Sequence, residues 1–273
     1  MSAERALYIA LHQRCDNVTF HGRYRATEDT AGPWDPRHQH GGPPAALLTG
    51  IAESLPGGSP DSLIVRASLD ILGPIPVGEV EVDARIARPG SRVSLVEATM
   101  TDGARPCARL TAWRMRRREV AVPAHEAPPA PTHAGKEVDF PFGWGGGFLD
   151  AVRWRLVEGG LTSPGPCTVW TELVASVVAG EEPSGTQRVI AVADAGSGVS
   201  ALADPRELVF INTELTVHFH RVPTGTRMWM SAQQVLGAQG VGLARTTLGD
   251  EVGAVGAGAQ ALLLEPRQRP ARA

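Results

Sequence analysis

Pro43-Pro44-Ala45-Ala46-Leu47-Leu48-Thr49-Gly50-Ile51-Ala52-Glu53-Ser54-Leu55 reads as a helix. Proline stands in its first turn and Pro56-Gly57-Gly58 stops it, as the steric rules for these residues require. Its apolar residues nearly encircle it, which marks a helix buried on all sides. The next fifty residues are strand-like. Leu63–Leu72, Val80–Ala87, Val93–Thr101 and Cys107–Arg116 alternate or run apolar, with turns at hairpin spacing between them. One buried helix and one curved antiparallel sheet make the first half.

The second half repeats the layout. Phe210–His220, Arg227–Leu236, Val241–Leu248 and Gly253–Leu264 are the corresponding strands, and Thr186–Val192 is the corresponding helix. Pro76, Gly78 and Gly90 stand against Pro223, Gly225 and Gly237 at one offset of about 147 residues, the self-similarity of a duplicated unit. Ala121 to Lys136 holds four prolines and no apolar period, so it reads as an extended linker. The expected division is residues 1–120, a linker at 121–136, and residues 137–273.

Composition narrows the function. The chain has 273 residues, 42% of them hydrophobic, and a net charge of −3. That builds a core but offers no basic excess for a nucleic acid. No apolar run is long enough to span a membrane. Residues 1–11 lack the charged-then-apolar layout of a secretory signal. Cys15, Cys107 and Cys167 are odd in number and widely spaced, which fits a reducing compartment. A cytoplasmic protein is the expectation. His38 with His40, and His218 with His220, could start a metal site, but no third ligand cluster accompanies either pair, so no metal is expected.

Four segments carry a resemblance: His40-Gly41-Gly42 before the first helix; Phe210-Ile-Asn-Thr-Glu-Leu-Thr-Val-His-Phe-His-Arg221; Gly242-Leu-Ala-Arg245 with the Asp250 turn; and Ala259-Gln260-Ala261. In these the chain resembles the double-hotdog acyl-CoA thioesterases of the acyl-CoA thioesterase II type. The resemblance implies an α+β fold of two tandem hotdog units, each a curved antiparallel sheet wrapped around one long helix. It implies hydrolysis of an acyl-CoA or related acyl thioester by an activated water, with no covalent intermediate and no cofactor. It also implies a homo-oligomer, dimer or tetramer.

In that family a strand carboxylate, a hydroxyl residue and a glutamine orient the water. By resemblance the carboxylate position is Glu214 and the glutamine is Gln260. The hydroxyl position falls at Gln234, or at Gln233 or Val235 if the correspondence slips by one. Period-2 counting puts Glu214 on one face with Asn212, Thr216 and His218. Gly41 and Gly42 open a helix whose first amides could hold an oxyanion, or they simply make a tight turn into it; His40 either touches the ligand or braces the loop. Arg114-Met-Arg-Arg-Arg118 is a solvated strand end or a contact for the phosphates of coenzyme A. Two rivals remain. An enoyl-thioester hydratase or dehydratase would enlist His40 with Glu214. A non-catalytic acyl-thioester binding protein would keep the fold and lose the reaction.

Overall fold

The computed structural model describes residues 5–57, 61–123 and 127–267. Its strands are β1 (Ala6–Cys15), β2 (Thr19–Ala26), β3 (Ser62–Ile71), β4 (Glu79–Arg88), β5 (Val93–Thr101), β6 (Pro106–Arg116), β7 (Lys136–Glu137), β8 (Val152–Glu158), β9 (Cys167–Leu173), β10 (Ser176–Val178), β11 (Leu208–Asn212), β12 (Glu214–Phe219), β13 (Arg227–Gly237), β14 (Val241–Asp250) and β15 (Gly253–Pro266). The helices are α1 (Gly42–Ser54), α2 (Gly185–Ala193) and the single turn α3 (Gly196–Val199).

The described strands all join one sheet, ordered β10-β1-β2-β4-β5-β6-β3-β12-β15-β14-β13-β9-β8-β7, with β11 also on β15. The order is a palindrome about the β3–β12 seam. Outward from the seam, β3-β6-β5-β4-β2-β1 is matched by β12-β15-β14-β13-β9-β8. The eight strands read from the sequence are the inner ones of each arm. β1, β2, β8 and β9 escape the periodicity reading. At the seam β3 and β12 pair antiparallel, Asp70 opposite Glu214 and Arg66 opposite His218. Duplicated strands thus share one ladder.

α1 packs on β3, β4, β5 and β6, α2 packs on β9, β12, β13 and β14, and the helices pack on each other. Leu47, Leu48 and Ile51 are buried with Ala45, Ala46 and Ala52, as an all-round apolar helix requires. Each of the three large side chains contributes about 1.5–3 kcal/mol by leaving water. The final carbonyls of α1 have no intrahelical partner. Arg114, itself buried, donates to the carbonyls of Ala52 at 3.3 Å and Leu55 at 2.6 Å. This arginine therefore closes a helix and does not reach out to a phosphate.

α2 opens with a capping box: Ser184 Oγ accepts from Gln187 N–H at 3.1 Å, and Gln187 Oε1 accepts from Ser184 N–H at 3.0 Å. It runs nine residues and breaks at Asp194 before α3. The second half therefore lacks the long helix expected of it. The described part of the Pro-rich stretch lies against the second-half sheet. Pro128 C=O accepts from Ala254 N–H at 2.9 Å, and His133 C=O accepts from Trp170 Nε1 at 3.0 Å. Residues 124–126 lie outside the described residues.

One local irregularity decides which face each site residue takes. Asn212 is opposite Leu262, and Thr216 is opposite Ala259. The pairing sums differ by one, so the strand gains a residue at Thr213, between β11 and β12. Such a bulge shifts the side-chain alternation. Phe210 lies on the inner side before it; Leu215, Val217 and Phe219 are buried after it. Asn212 and Glu214, two apart in sequence, fall on opposite faces.

Candidate active site

A cavity of about 340 Å³ opens where the two halves meet. Its walls come from the loop before α1, the end of β3, the loop at 140–149, the α2–α3 break and β11. His40, Asp194 and Asn212 are polar groups in an otherwise mainly apolar lining. Few convergent polar groups in an apolar pocket is the usual form of a small-molecule site.

Asp194 is the centre of the polar end. It is 4% exposed and stands at the C-terminal end of α2. Both features oppose a carboxylate: burial removes water, and the helix end already carries partial negative charge. The neighbours compensate. Asn212 Nδ2 donates to Asp194 Oδ1 at 2.7 Å, and Gln260 Nε2 reaches the same oxygen at 3.3 Å. His40 Nδ1 lies 3.0 Å from Oδ2, and Gly41 N–H also bonds the carboxylate. Burial pushes the Asp194 pKa up, but His40, Asn212 and Gly41 outweigh it and hold the carboxyl below its ordinary value. It is ionised at neutral pH.

Gln260 is 1% exposed and is the brace behind this group. Its Nε2 also donates to the Asp194 carbonyl at 2.9 Å. That carbonyl is free because the helix breaks there. Gln260 reaches the cavity through Asp194 and is not itself a lining residue. Gln234 also points inward, two strands away across β14, since Ala244 pairs with both glutamines. Its hydrogen bonds go elsewhere. Nε2 donates to Ser197 C=O at 2.6 Å, and Oε1 accepts from Leu202 N–H at 3.3 Å. It ties α3 and the next loop to the sheet and does not meet Asp194.

Glu214 is not brought to Gln260. Past the bulge it faces away from the helices. Oε1 accepts from Ala261 N–H at 2.8 Å, and Oε2 accepts from Thr216 Oγ1 at 3.0 Å. The side chain satisfies the amide that the bulge strips from the ladder. Glu214 does not line this cavity.

His40 and Gly41 line the cavity's polar end, and Gly42 follows them. Gly41 N–H is bonded to Asp194, and Gly42 N–H lies 3.1 Å from His40 Nδ1. Pro43 and Pro44 have no N–H, and Ala45 N–H is bonded to Gly41 C=O. The Gly41 amide is thus taken by Asp194, and a His40 Nδ1–H that donates to Asp194 leaves the Gly42 N–H without an acceptor at that nitrogen. The glycines have a steric reason. A Cβ on Gly41 would stand 2.7 Å from Asp194 Oδ2, and one on Gly42 would collide with the Ala191 carbonyl of α2. His40 stacks against Phe148 at 4.8 Å between centroids. Its Nε2 has no protein partner among the described residues.

No group of three metal-ligating side chains occurs among the described residues, and none of their helices is long and apolar enough to cross a membrane. Burial pushes the Cys167 thiol up to about 11 and raises that of Cys107. Neither is poised as a nucleophile.

Asp194 and Asn212 are the residues that sequence reasoning missed. Asp194 did leave a signal. It is the lone acid in the run Val189–Gly198, placed where a helix end favours a cation. Asn212 was hidden by the bulge.

The acyl-CoA thioesterase N-terminal domain model matches residues 30–115, and the acyl-CoA thioesterase C-terminal domain model matches residues 121–264. The chain belongs to the acyl-CoA thioesterase family. It is a thioester hydrolase. The structure of this thioesterase is similar to a conserved hot dog fold protein of unknown function from Alicyclobacillus acidocaldarius, at TM-score 0.73 and 16% identity, covering 94% of this chain and 97% of that one. It is similar to a Thermobifida fusca protein assigned as a thioesterase II, at TM-score 0.70 and 19% identity, covering 97% and 99%. It is also similar to the acyl-CoA thioesterase II TesB2 of Mycobacterium marinum, at TM-score 0.66 and 12% identity, covering 95% and 98%. At these identities the structures speak for the hotdog fold alone. No curated protein matches this thioesterase significantly in sequence.

Proposed function

We propose that the two halves are two hotdog units, and that the cavity between them hydrolyses acyl-CoA thioesters with a water activated by Asp194. The observation that carries this reading is the buried Asp194 carboxyl group on the cavity wall, held by His40, Asn212 and Gln260. Asp194, Asn212 and Gln260 then take the places of the carboxylate, hydroxyl residue and glutamine of the resembled family, with an amide in place of the hydroxyl and the carboxylate at a helix end in place of a strand.

Asp194 accepts a proton as water oxygen adds to the thioester carbonyl. The tetrahedral intermediate collapses and the C–S bond breaks. The thiolate leaves and regains the proton from Asp194, giving free acid and thiol. Asn212 fixes one carboxylate oxygen, so the other has a defined direction. Gln260 is a positioning residue, since it acts on Asp194. The test is thiol release from a panel of acyl-CoAs. Release that depends on the cavity supports the reading. Intact protein that releases no thiol from any of them refutes it.

A second reading has its own observation. His40 beside Asp194 is the His–carboxylate pair that enoyl-thioester hydration would use. Product analysis with an enoyl-CoA separates the two: hydratase gives a hydroxyacyl-CoA and no free thiol.

A further inference from the structure

The chain is poor in aromatic residues, at 5%, yet four of them line this one cavity: Trp34, Phe140, Trp144 and Phe210. They come from three separate stretches of chain. Trp34 is the hub. Its ring stands 5.1 Å from Trp144 at 68° and 5.3 Å from Phe210 at 86°, both edge-to-face. The Arg267 guanidinium lies over it at 5.7 Å. Trp144 and Phe210 are 8% and 1% exposed. Flat groups locked in this way form rigid walls. No methionine, the flexible gap-filler of adaptable pockets, lines the cavity among the described residues. The volume, about 340 Å³, is at the small end of the roughly 300–1,000 Å³ range of ligand pockets.

We propose that the acyl group this site accepts is a compact aryl or arylalkyl group, seated edge-to-face among Trp34, Trp144 and Phe210, and not a long aliphatic chain. The proposal rests on the thioesterase reading of the same cavity. An aryl ring makes edge-to-face contacts beyond its buried area, and it keeps few torsions to freeze. An alkyl chain of equal carbon count gains no such contacts and loses more freedom.

The test separates pocket preference from hydrolysis. Binding of S-(2-phenylethyl)-CoA and S-octyl-CoA, thioethers with equal carbon counts that cannot be hydrolysed, is measured by calorimetry. The expected result is roughly five- to tenfold tighter binding of the phenylethyl compound. Trp144→Leu erases that ratio by weakening phenylethyl binding more than octyl binding. Trp34→Leu, at a more exposed position, does the same if Trp144→Leu fails to fold. Octyl binding equal to or tighter than phenylethyl binding overturns the proposal, whatever the turnover. Phenylacetyl-CoA and octanoyl-CoA turnover is read in parallel. Aryl-selective binding without hydrolysis of either supports the pocket and refutes the thioesterase reading.

Discussion

Nδ1 of His40 and Oδ2 of Asp194 lie 3.0 Å apart, one from each half of the duplicated chain. The loop before α1 supplies the imidazole, and the broken end of α2 supplies the carboxylate. Neither half holds the site alone. His40→Phe keeps an aromatic ring against Phe148 and removes the imidazole contact with Asp194. The Asp194 pKa then rises, because burial still opposes ionisation and one of the groups that lowered it is gone. The acid limb of the kcat/KM profile moves to higher pH, read between pH 4 and pH 8. An unmoved limb would separate His40 from Asp194 function.

Gly41 and Gly42 are neighbours with different reasons to be glycine, and alanine distinguishes them. Gly41→Ala pushes a methyl group against the Asp194 carboxylate. It lowers kcat by roughly tenfold or more, the scale of a displaced catalytic group, with a modest change in Tm. Gly42→Ala meets the Ala191 carbonyl where the helices touch. It lowers Tm by the several degrees that correspond to about 1–3 kcal/mol of overpacking. Paired thermal melts and rate measurements check both.

Gln260→Ala combines the two kinds of damage. It removes the donor to the Asp194 carbonyl and one donor to its side chain. Unsatisfied buried groups cost about 1–3 kcal/mol, so denaturant midpoint and kcat both fall. Gln234→Ala lowers the midpoint through Ser197 and Leu202 and leaves kcat much less affected.

Stability in acid is set partly at Asp250, which does not line the cavity. Its carboxylate is fully buried and takes Arg221 on both oxygens, at 2.6 and 2.5 Å, with the amides of Thr224 and Val252. Burial alone would raise its pKa, but these partners lower it from 3.8 to about 2. A folded pKa below the unfolded one stabilises above the unfolded value. The contribution, about 2 kcal/mol, is complete above pH 4 and is lost as pH falls toward 2. Asp250→Asn loses it at neutral pH and flattens the acid limb of a Tm-against-pH curve.

Much of the fold is written in local pattern. α1 is legible because Pro43 and Pro44 start it and its apolar residues go all the way round. The inner strands of both arms are legible because turns of Gly and Pro bound them. The duplication shows in Pro76, Gly78 and Gly90 against Pro223, Gly225 and Gly237. Gln260 stands out as a polar side chain in an apolar strand. Asp194 and Asn212 are not legible, for separate physical reasons. Period-2 counting runs through Thr213 as if the strand were regular, so it assigns Glu214 and Asn212 to one face. An added residue in a ladder leaves no mark in alternation on either side of it. Asp194 stands at a helix end, where strand alternation carries no information. The cavity's aromatic wall is invisible for a third reason: Trp34, Trp144 and Phe210 are far apart in sequence and meet only in three dimensions.

The central claim is that Asp194, and not Glu214, carries the reaction. The direct measurement is thiol release from acyl-CoA by the unaltered protein, Asp194→Asn and Glu214→Gln, each shown folded by its thermal melt. Asparagine gives up the charge that His40, Asn212 and Gly41 stabilise, so Asp194→Asn lowers Tm at neutral pH, and activity is read well below that Tm. The expected result is a loss of roughly a hundredfold or more in kcat for Asp194→Asn, while Glu214→Gln stays within about twofold, as a change on the outer face away from the cavity should. Full activity in Asp194→Asn, or a comparable collapse in Glu214→Gln with its fold intact, would contradict it.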